Sequence, residues 1–424
     1  MAWAWILGFL GVVAWKLRKA NLDQSPLSSA SSSSSSSVLQ LGRRANLGIP
    51  LLQHQQVLQA AASSESAKKQ KKDTFNGHES PLIIFTCKRA QYLSKTLDDI
   101  LQNIPHACRF GCPIVISEDG VHPAVNEVVL EYKSKFEDIG VPLYHIQHRG
   151  SASVKDPYHA LSQHYGWALK ELFQGKIDPM LPIPQRVIIL EEDLNTAPDF
   201  FSYMEATSKL LDNDPSLFAV SAFSDNGHLV SDPKRLLRSD FFPGLGWMMA
   251  RALWSELESK WPQAYWDDWL REPQQRKNRQ VIRPEVSRTY HFGSKGGASH
   301  NQFGSILERV KLNRLPIDWI HEDISYLRES DYNNRYAKEL QAAKRVSSFA
   351  EAQTLVKSEN VRLEYTTFRE FQKFARILNI MDDEKATIPR TAYKGVIETR
   401  PDGNHLLFMT PPIDKLRSSF PGIL

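Results

Sequence analysis

The 424-residue chain has only three cysteines, Cys87, Cys108 and Cys112, too few for a disulfide scaffold. They allow at most one disulfide and leave at least one thiol over. A C-x3-C pair with no neighbouring histidine or further cysteine is also too poor for a structural zinc site. There is no Asn-x-Ser/Thr sequon and no internal repeat. Apolar runs long enough for a polytopic membrane protein are missing, and the 42% hydrophobic content excludes a largely disordered chain. A charge excess is missing too. The net +4 comes from residues 1–79, which hold nine basic and four acidic side chains, whereas the rest holds 43 basic and 44 acidic. The folded part is therefore electrically balanced, and nothing in it suggests a nucleic-acid face.

What is present starts with residues 2–15, AWAWILGFLGVVAW, an uncharged apolar run followed at once by Lys16, Arg18 and Lys19. As a helix it rises about 21 Å, against a hydrocarbon core of about 30 Å. Trp3, Trp5 and Trp15 suit the two membrane interfaces, so residues 1–19 are expected to be a membrane anchor. A cleavable signal would carry positive charge before the run, not after it. The same charge order conflicts with a type II orientation under the positive-inside rule. Residues 25–37 contain ten serines, and Ser63 to Asp73 is a second polar stretch with four lysines. Such segments bury too little apolar surface to offset chain entropy, so residues 20–79 are expected to be a disordered stem, with one short amphipathic helix over Leu51 to Ala62. As flexible coil, residues 20–75 would span roughly 41 Å.

The head begins near Pro81. Leu82 to Thr86, Pro113 to Ser117 and Val187 to Leu190 read as buried strands. Leu93, Leu97, Ile100 and Leu101 fall at helical spacing, as do Leu161, Tyr165, Ala168, Leu169 and Leu172. Phe200, Met204, Thr207 and Leu211 make another helix, with Pro198 in its first turn. Strands alternating with helices predict an α/β domain over 80–330, with a mostly parallel sheet covered on both faces. Ligand sites in such sheets lie beyond the carboxyl ends of the strands, where Glu118-Asp119 and Glu191-Glu192-Asp193 sit. Over 331–424 the pattern changes. Thr367-x-x-Glu370 reads as a capping box, and short strand-like runs lie around Tyr393 to Glu398 and His405 to Met409, so a smaller α+β domain is expected.

Three consecutive carboxylates after a buried strand repel one another and gain no packing, an arrangement that suits a shared hard cation and bound hydroxyls. Trp266-Asp267-Asp268-Trp269 places paired acids between two indoles, which suits a sugar: rings stack on its C–H faces while acids take its hydroxyls. Gly293 to His300 is a glycine-rich loop without P-loop spacing, read either as a lid near a phosphate or as a plain loop. His164 borders an apolar helical stripe, the usual place of a packed core histidine. Arg89, after an apolar strand, either pairs with phosphate or snorkels.

Taken together, these segments resemble a known family. Phe85-Thr-Cys-Lys-Arg89, His164-Tyr-Gly-Trp-Ala-Leu169, Leu190-Glu-Glu-Asp-Leu194 with Ala197-Pro-Asp-Phe-Phe201, and Phe241-Phe-Pro-Gly-Leu-Gly-Trp247 look like those of the N-acetylglucosaminyltransferase I family. So do Lys260-Trp-Pro, Trp266-Asp-Asp-Trp269, Arg283-Pro-Glu-Val-Ser-Arg288 and Ser299-His-Asn-Gln-Phe303. The resemblance runs in order from about residue 81 to 410. It implies a GT-A fold, an inverting mechanism, UDP-GlcNAc as donor, Mn2+ as cofactor and a Golgi membrane enzyme with a luminal catalytic domain. The acceptor it implies is the α1,3-arm mannose of an oligomannose N-glycan, linked β1,2. By position it assigns the metal to Asp193 and the catalytic base to Asp267. Donor contacts fall on Arg89, Asp119, His164, Glu191, Glu192, Leu245 and Trp266, with Ser299 on a closing loop.

The sequence departs from the family pattern in two places. The triplet reads Glu-Glu-Asp where this family commonly has Glu-Asp-Asp; the related protein O-mannose β-1,2-N-acetylglucosaminyltransferases have Glu-Glu-Asp. The family's disulfide cysteines are mostly missing: Gly120 stands where the partner of Cys87 would be, and Ala219 and Val281 replace a second pair. Two rival readings are transfer to O-linked mannose and a catalytically silent sugar-binding module. Intact Asp193 and Asp267 argue against the second.

Overall fold

Alternation of buried residues fixes the central sheet. In a computed structural model, which describes residues 79–105, 108, 112–150, 155–293 and 304–421, the first strands are β1 (Leu82–Thr86), β2 (Ile114–Asp119), β3 (Leu143–His148) and β4 (Arg186–Glu191). Then follow β5 (Leu194–Thr196), β6 (Leu217–Ser221), β7 (Leu236–Ser239), β8 (Trp247–Ala250), β9 (Gln280–Pro284) and β10 (Thr289–His291). Leu82, Ile84, Ile114, Ile116, Ile188 and Leu190 enter one core; Ile83, Phe85, Val115, Val187 and Ile189 enter a second on the opposite face. Period-two alternation with both faces apolar is what a sheet covered on both sides requires.

The first core packs under α1 (Ala90–Asn103), α2 (Pro123–Asp138) and α4 (Phe200–Asn213), and the second under α3 (Pro157–Phe173). Helix α4 starts at Phe200 after Asp199, so Pro198 precedes the helix and is not in its first turn. Strand order is β3-β2-β1-β4-β8-β6-β9-β7. The β3-β2-β1-β4 half is parallel throughout, whereas β8 runs antiparallel to both β4 and β6, and β7 antiparallel to β9. The sheet is thus mixed, parallel through β3-β2-β1-β4 and again between β6 and β9. Strand order reverses between β1 and β4, so a crevice opens at their carboxyl ends.

A second sheet is built from Lys344–Val346, Val361–Glu364, Leu407–Thr410 and Ile397–Thr399, in that order, over its own apolar cluster. In the helix Phe368–Leu378 the Thr367 side chain caps the Glu370 amide, and the Glu370 carboxylate takes the Thr366 amide and hydroxyl. The capping box therefore closes one residue earlier than the usual pattern; each such cap contributes about 1 kcal/mol. Arg235 ties the two sheets together through Glu398 at 3.2 Å and Glu339 at 2.6 Å. Cys108 and Cys112 are disulfide-bonded and Cys87 is free. Among the described residues no helix is long and apolar enough to cross a membrane. The expected anchor, the stem and its short helix lie outside the described residues.

One turn is costly. Glu384–Lys385 and Ile388–Pro389 form a two-residue hairpin whose turn residues, Ala386 and Thr387, have φ of 49° and 66°. Both turn positions of a type I′ hairpin are left-handed, which suits Asn-Gly; a β-branched threonine there is strained. The double variant A386N/T387G should therefore gain about 1 kcal/mol, after the unfolded-state entropy of the new glycine is subtracted. Urea unfolding checks this, and a loss of stability would contradict the strain.

Candidate active site

At the carboxyl end of β1 the chain turns into α1 at Arg89, and at the end of β4 it leaves the sheet through Glu191-Glu192-Asp193. Because β1 and β4 are parallel neighbours, Phe85 stands opposite Glu191, and Arg89 meets the acids. Its Nε donates to Glu192 Oε1 at 2.5 Å and its Nη2 to Asp193 Oδ2 at 2.7 Å. Glu192 is 4% exposed, and its second oxygen accepts from the Thr86 hydroxyl and from the Cys87 amide. Both Glu192 oxygens are thus committed within the protein. In this structure Glu192, expected to contact the donor, holds Arg89 and the β1–α1 turn. Burial outweighs these partners and leaves the Glu192 carboxyl above its usual range.

Asp193 differs from Glu192. It is 2% exposed, and its Oδ1 is buried with no hydrogen-bond partner among the described residues. His291, at the end of β10, brings Nε2 to 3.6 Å from Oδ2. Burial pushes the Asp193 carboxyl up, but His291 and Arg89 prevail and hold it below the usual carboxylate range. A buried carboxylate oxygen without a donor is high in energy unless a cation completes it. Gly293 closes over the same carboxylate: a Cβ there would lie 2.1 Å from Asp193 Oδ2. Among the described residues no group of three or more His, Cys, Asp or Glu forms a complete metal cage. The donor set is thus one acid, which fits a hard cation that takes its remaining ligands from a diphosphate and water.

Glu191 Oε1 accepts from the Tyr165 hydroxyl at 2.8 Å. Burial, and then the charge of Asp193, push its carboxyl up to about 7. Tyr165 is stacked on Phe85 at 3.7 Å and on Trp266 at 4.4 Å between ring centroids. Through that stack the acid triplet connects to the short helix Trp266–Arg271. Trp266 itself is 5% exposed, among Tyr165, Trp247, Trp261 and Phe242. Trp266, expected to meet the sugar, is packed here among these rings and seats the helix. The exposed aromatic beside it is Tyr265, 48% exposed and left-handed at φ 52°.

Asp267 and Asp268, in the first turn of that helix, share Arg271. Its Nη1 donates to Asp267 Oδ2 at 2.9 Å and to Asp268 Oδ1 at 2.7 Å. Asp268 Oδ2 also accepts from Lys385 Nζ at 2.7 Å, whereas Asp267 Oδ1 has no hydrogen bond among the described residues. Burial pushes the Asp268 carboxyl up, but Lys385 and Arg271 overcome it and hold it below the usual range. Of the two acids, Asp267 alone keeps an oxygen uncommitted, as a proton acceptor must.

At the end of β2, Asp119 Oδ1 pairs with His148 Nδ1 at 3.0 Å. His164 lies behind this pair, 2% exposed, with Nε2 at 2.8 Å from Ser117 Oγ and its ring parallel to His148. Burial pushes its pKa down to about 3, so it is neutral. His164, expected to contact the nucleotide, backs His148 and Asp119 from the core side. Leu245 sits in a run of three left-handed residues, Gly244, Leu245 and Gly246, and its carbonyl accepts from Thr289 Oγ1 at 2.6 Å. That places it beside the end of β4. Ser299 and the expected lid lie outside the described residues. Tyr165, Arg271, His291 and Lys385 were not singled out from the sequence; only Tyr165 carried a signal, as the residue after His164 in its motif.

A model of the GNT-I family matches residues 16–418. An Arabidopsis thaliana protein named alpha-1,3-mannosyl-glycoprotein 2-beta-N-acetylglucosaminyltransferase is 38% identical over 346 residues, 78% of this chain and 73% of its own. Similar solved structures include a mannosyltransferase from Pyrobaculum calidifontis in complex with GDP-Man and Mn2+, at 15% identity and TM-score 0.32, covering 71% of this chain and 86% of that one. Another is GalNAc-T7 with UDP, GalNAc and Mn2+, at 12% identity and TM-score 0.34, covering 73% of this chain and 55% of that one. These structural likenesses are remote, and the assignment rests on the sequence. With the family's pattern running through most of the chain, this protein belongs to the GNT-I family.

Proposed function

We infer that the chain is an inverting, metal-dependent N-acetylglucosaminyltransferase of GT-A type. It moves GlcNAc from UDP-GlcNAc in β1,2 linkage onto the α1,3-arm mannose of an oligomannose N-glycan, the step that opens hybrid and complex N-glycan synthesis. The observation that carries the mechanism is the pair of uncommitted carboxylate oxygens on separate segments: buried Asp193 Oδ1 beyond β4, and Asp267 Oδ1 on the helix seated by Trp266. A Mn2+ ion held by Asp193 would neutralise the charge that develops on the departing UDP. Arg89, fixed by Glu192, adds a positive charge beside the same acid. Glu191, held by Tyr165, is the acid assigned to the GlcNAc. Asp267 takes the proton of the acceptor 2-hydroxyl while its oxygen bonds to the anomeric carbon and the bond to UDP breaks. Inversion puts base and leaving group on opposite faces of the sugar, so the two acids must come from different segments.

The apolar run 2–15 would anchor the enzyme in the Golgi membrane, with residues 20–79 as stem and the catalytic part in the lumen. Labelled GlcNAc from UDP-GlcNAc, offered with Mn2+ to an oligomannose glycan and to an O-mannosyl peptide side by side, tests the reading. The expected result is transfer to the oligomannose glycan, lost on chelation. Preference for the peptide would move the acceptor to O-linked mannose, and no transfer to either would leave a sugar-binding module.

A further inference from the structure

The hairpin Glu384–Pro389 belongs to the C-terminal part of the chain, yet its Lys385 reaches back 117 residues in sequence to Asp268, beside the assigned base. Three observations converge on this contact. The first is the strain in its turn, where Ala386 and Thr387 are both left-handed, as are Thr391 and Lys394 just after it. Non-glycine residues persist in that conformation only where surrounding contacts over-determine them. The second is what over-determines them: Arg390 pairs with Asp383 at 2.7 Å, tying the two ends of the hairpin together, and with Asp225 in the loop after β6 at 2.8 Å. The third is a ring shared by two guanidinium groups. Arg271 lies 4.8 Å from the Phe241 centroid and Arg390 lies 4.6 Å from the same centroid, so the hairpin's anchor and the aspartates' partner rest on one side chain.

The chemistry of this contact is in the sharing of one donor. Arg271 Nη1 serves both Asp267 and Asp268, while its Nε is fixed on the Phe242 carbonyl at 2.9 Å. Nη1 carries two N–H bonds, one for each carboxylate, so the place of the guanidinium is set by both acids. Lys385 holds Asp268 from its other oxygen. Without Lys385 the Asp268 carboxylate is free to turn, and Arg271, and through it Asp267, loses a fixed reference.

We propose that Lys385 is a positioning residue for the transfer step: the strained hairpin holds it against Asp268, and through Arg271 this fixes the direction of the Asp267 carboxylate toward the acceptor hydroxyl. The inference rests on the reading of Asp267 as the base. Lys385 acts only through Asp268 and Arg271 and touches neither donor nor metal site.

The test is K385M in the otherwise intact protein, with UDP-GlcNAc, Mn2+ and an oligomannose acceptor. Misplacing a catalytic group by about 1 Å costs up to about 100-fold, so kcat should fall about 10- to 100-fold. The KM for UDP-GlcNAc should stay within about twofold, because Asp193 and Arg89 are untouched. The pair is 40% and 37% exposed, so its loss should leave Tm nearly unchanged; a merely structural role would shift Tm and spare kcat. K385R should recover most of the rate, and K385M placed on D268N should cause no further loss, since both cut the same chain of contacts. A kcat for K385M within about twofold of the parent, or losses that multiply in the double variant, overturns the proposal. D267N measured alongside separates the two readings: if D267N is dead and K385M active, only this inference fails; if D267N is active, the base assignment itself falls. Should K385M not fold, K385Q, which keeps the length of the side chain and a polar end, is measured in the same way.

Discussion

Replacing Asp267 with asparagine is expected to lower kcat by about 10²–10⁴-fold and to leave UDP-GlcNAc affinity nearly unchanged. The substitution is close to isosteric. Its amide oxygen can still accept from Arg271, as Asp267 Oδ2 does at 2.9 Å, and Trp266 still seats the helix in the aromatic stack with Tyr165. What disappears is the carboxylate oxygen that has no partner and can receive a proton. Donor affinity is expected to depend on the other end of the site, on Asp193 and Arg89. Single-turnover rates and donor titration measured on the same protein separate the two effects. Asp268→Asn is the comparison: Asp268 is fully engaged by Arg271 and Lys385, so it should cost about tenfold through positioning, and less than Asp267→Asn. A dead Asp268 variant beside an active Asp267 variant would move the base by one residue.

Asp193→Ala is expected to abolish the metal dependence of UDP-GlcNAc binding while the fold survives. Removing a buried charge is usually harmful because its partner is left unpaired. Here Arg89 keeps Glu192 at 2.5 Å and has 20% of its side chain exposed, and His291, the other partner, can become neutral by losing its proton, so no isolated charge is buried. Loss of the carboxylate also relieves repulsion with Glu191, whose carboxyl is pushed up to about 7 by burial and by Asp193. The variant removes the Oδ1 atom that has no protein donor and would ligate the cation. Calorimetric titration with UDP-GlcNAc, with and without Mn2+, reads the effect. Parent-like affinity that still depends on Mn2+ would show that the cation is held elsewhere.

Exchanges of role inside the acid triplet follow from what each carboxylate touches. Glu192 is engaged on both oxygens by Thr86, Cys87 and Arg89, Glu191 is held on one oxygen by Tyr165, and Asp193 keeps a fully buried oxygen without a partner among the described residues. The proposed roles divide accordingly: support for the arginine, contact with the sugar and ligand to the metal. The extra methylene of Glu192, where the family commonly has aspartate, lets its carboxylate reach back to Thr86 and Arg89 at once.

Local pattern carried much of the architecture. Apolar runs with both faces buried wrote β1, β2 and β4 into the sequence, helical spacing wrote α1, α3 and α4, and the acids at strand ends marked the crevice, because periodicity and charge placement are properties of neighbouring residues. The pattern was silent on β3, LYHIQH, an edge strand with a single fully buried residue and little apolar alternation. It was silent as well on the antiparallel insertion of β8 between β4 and β6, since strand order depends on how crossovers close. The family motifs marked the acids, but the surroundings of each come from residues far away in sequence. Trp266 is packed into the core because Tyr165 and Trp247 lie on either side of it. His164 lies against the parallel ring of His148. Asp268 differs from Asp267 because a hairpin 117 residues later delivers Lys385 to it alone. A sequence fixes which side chains can bear charge or be buried; which oxygen is left without a partner is decided only when the sheet order brings distant loops together.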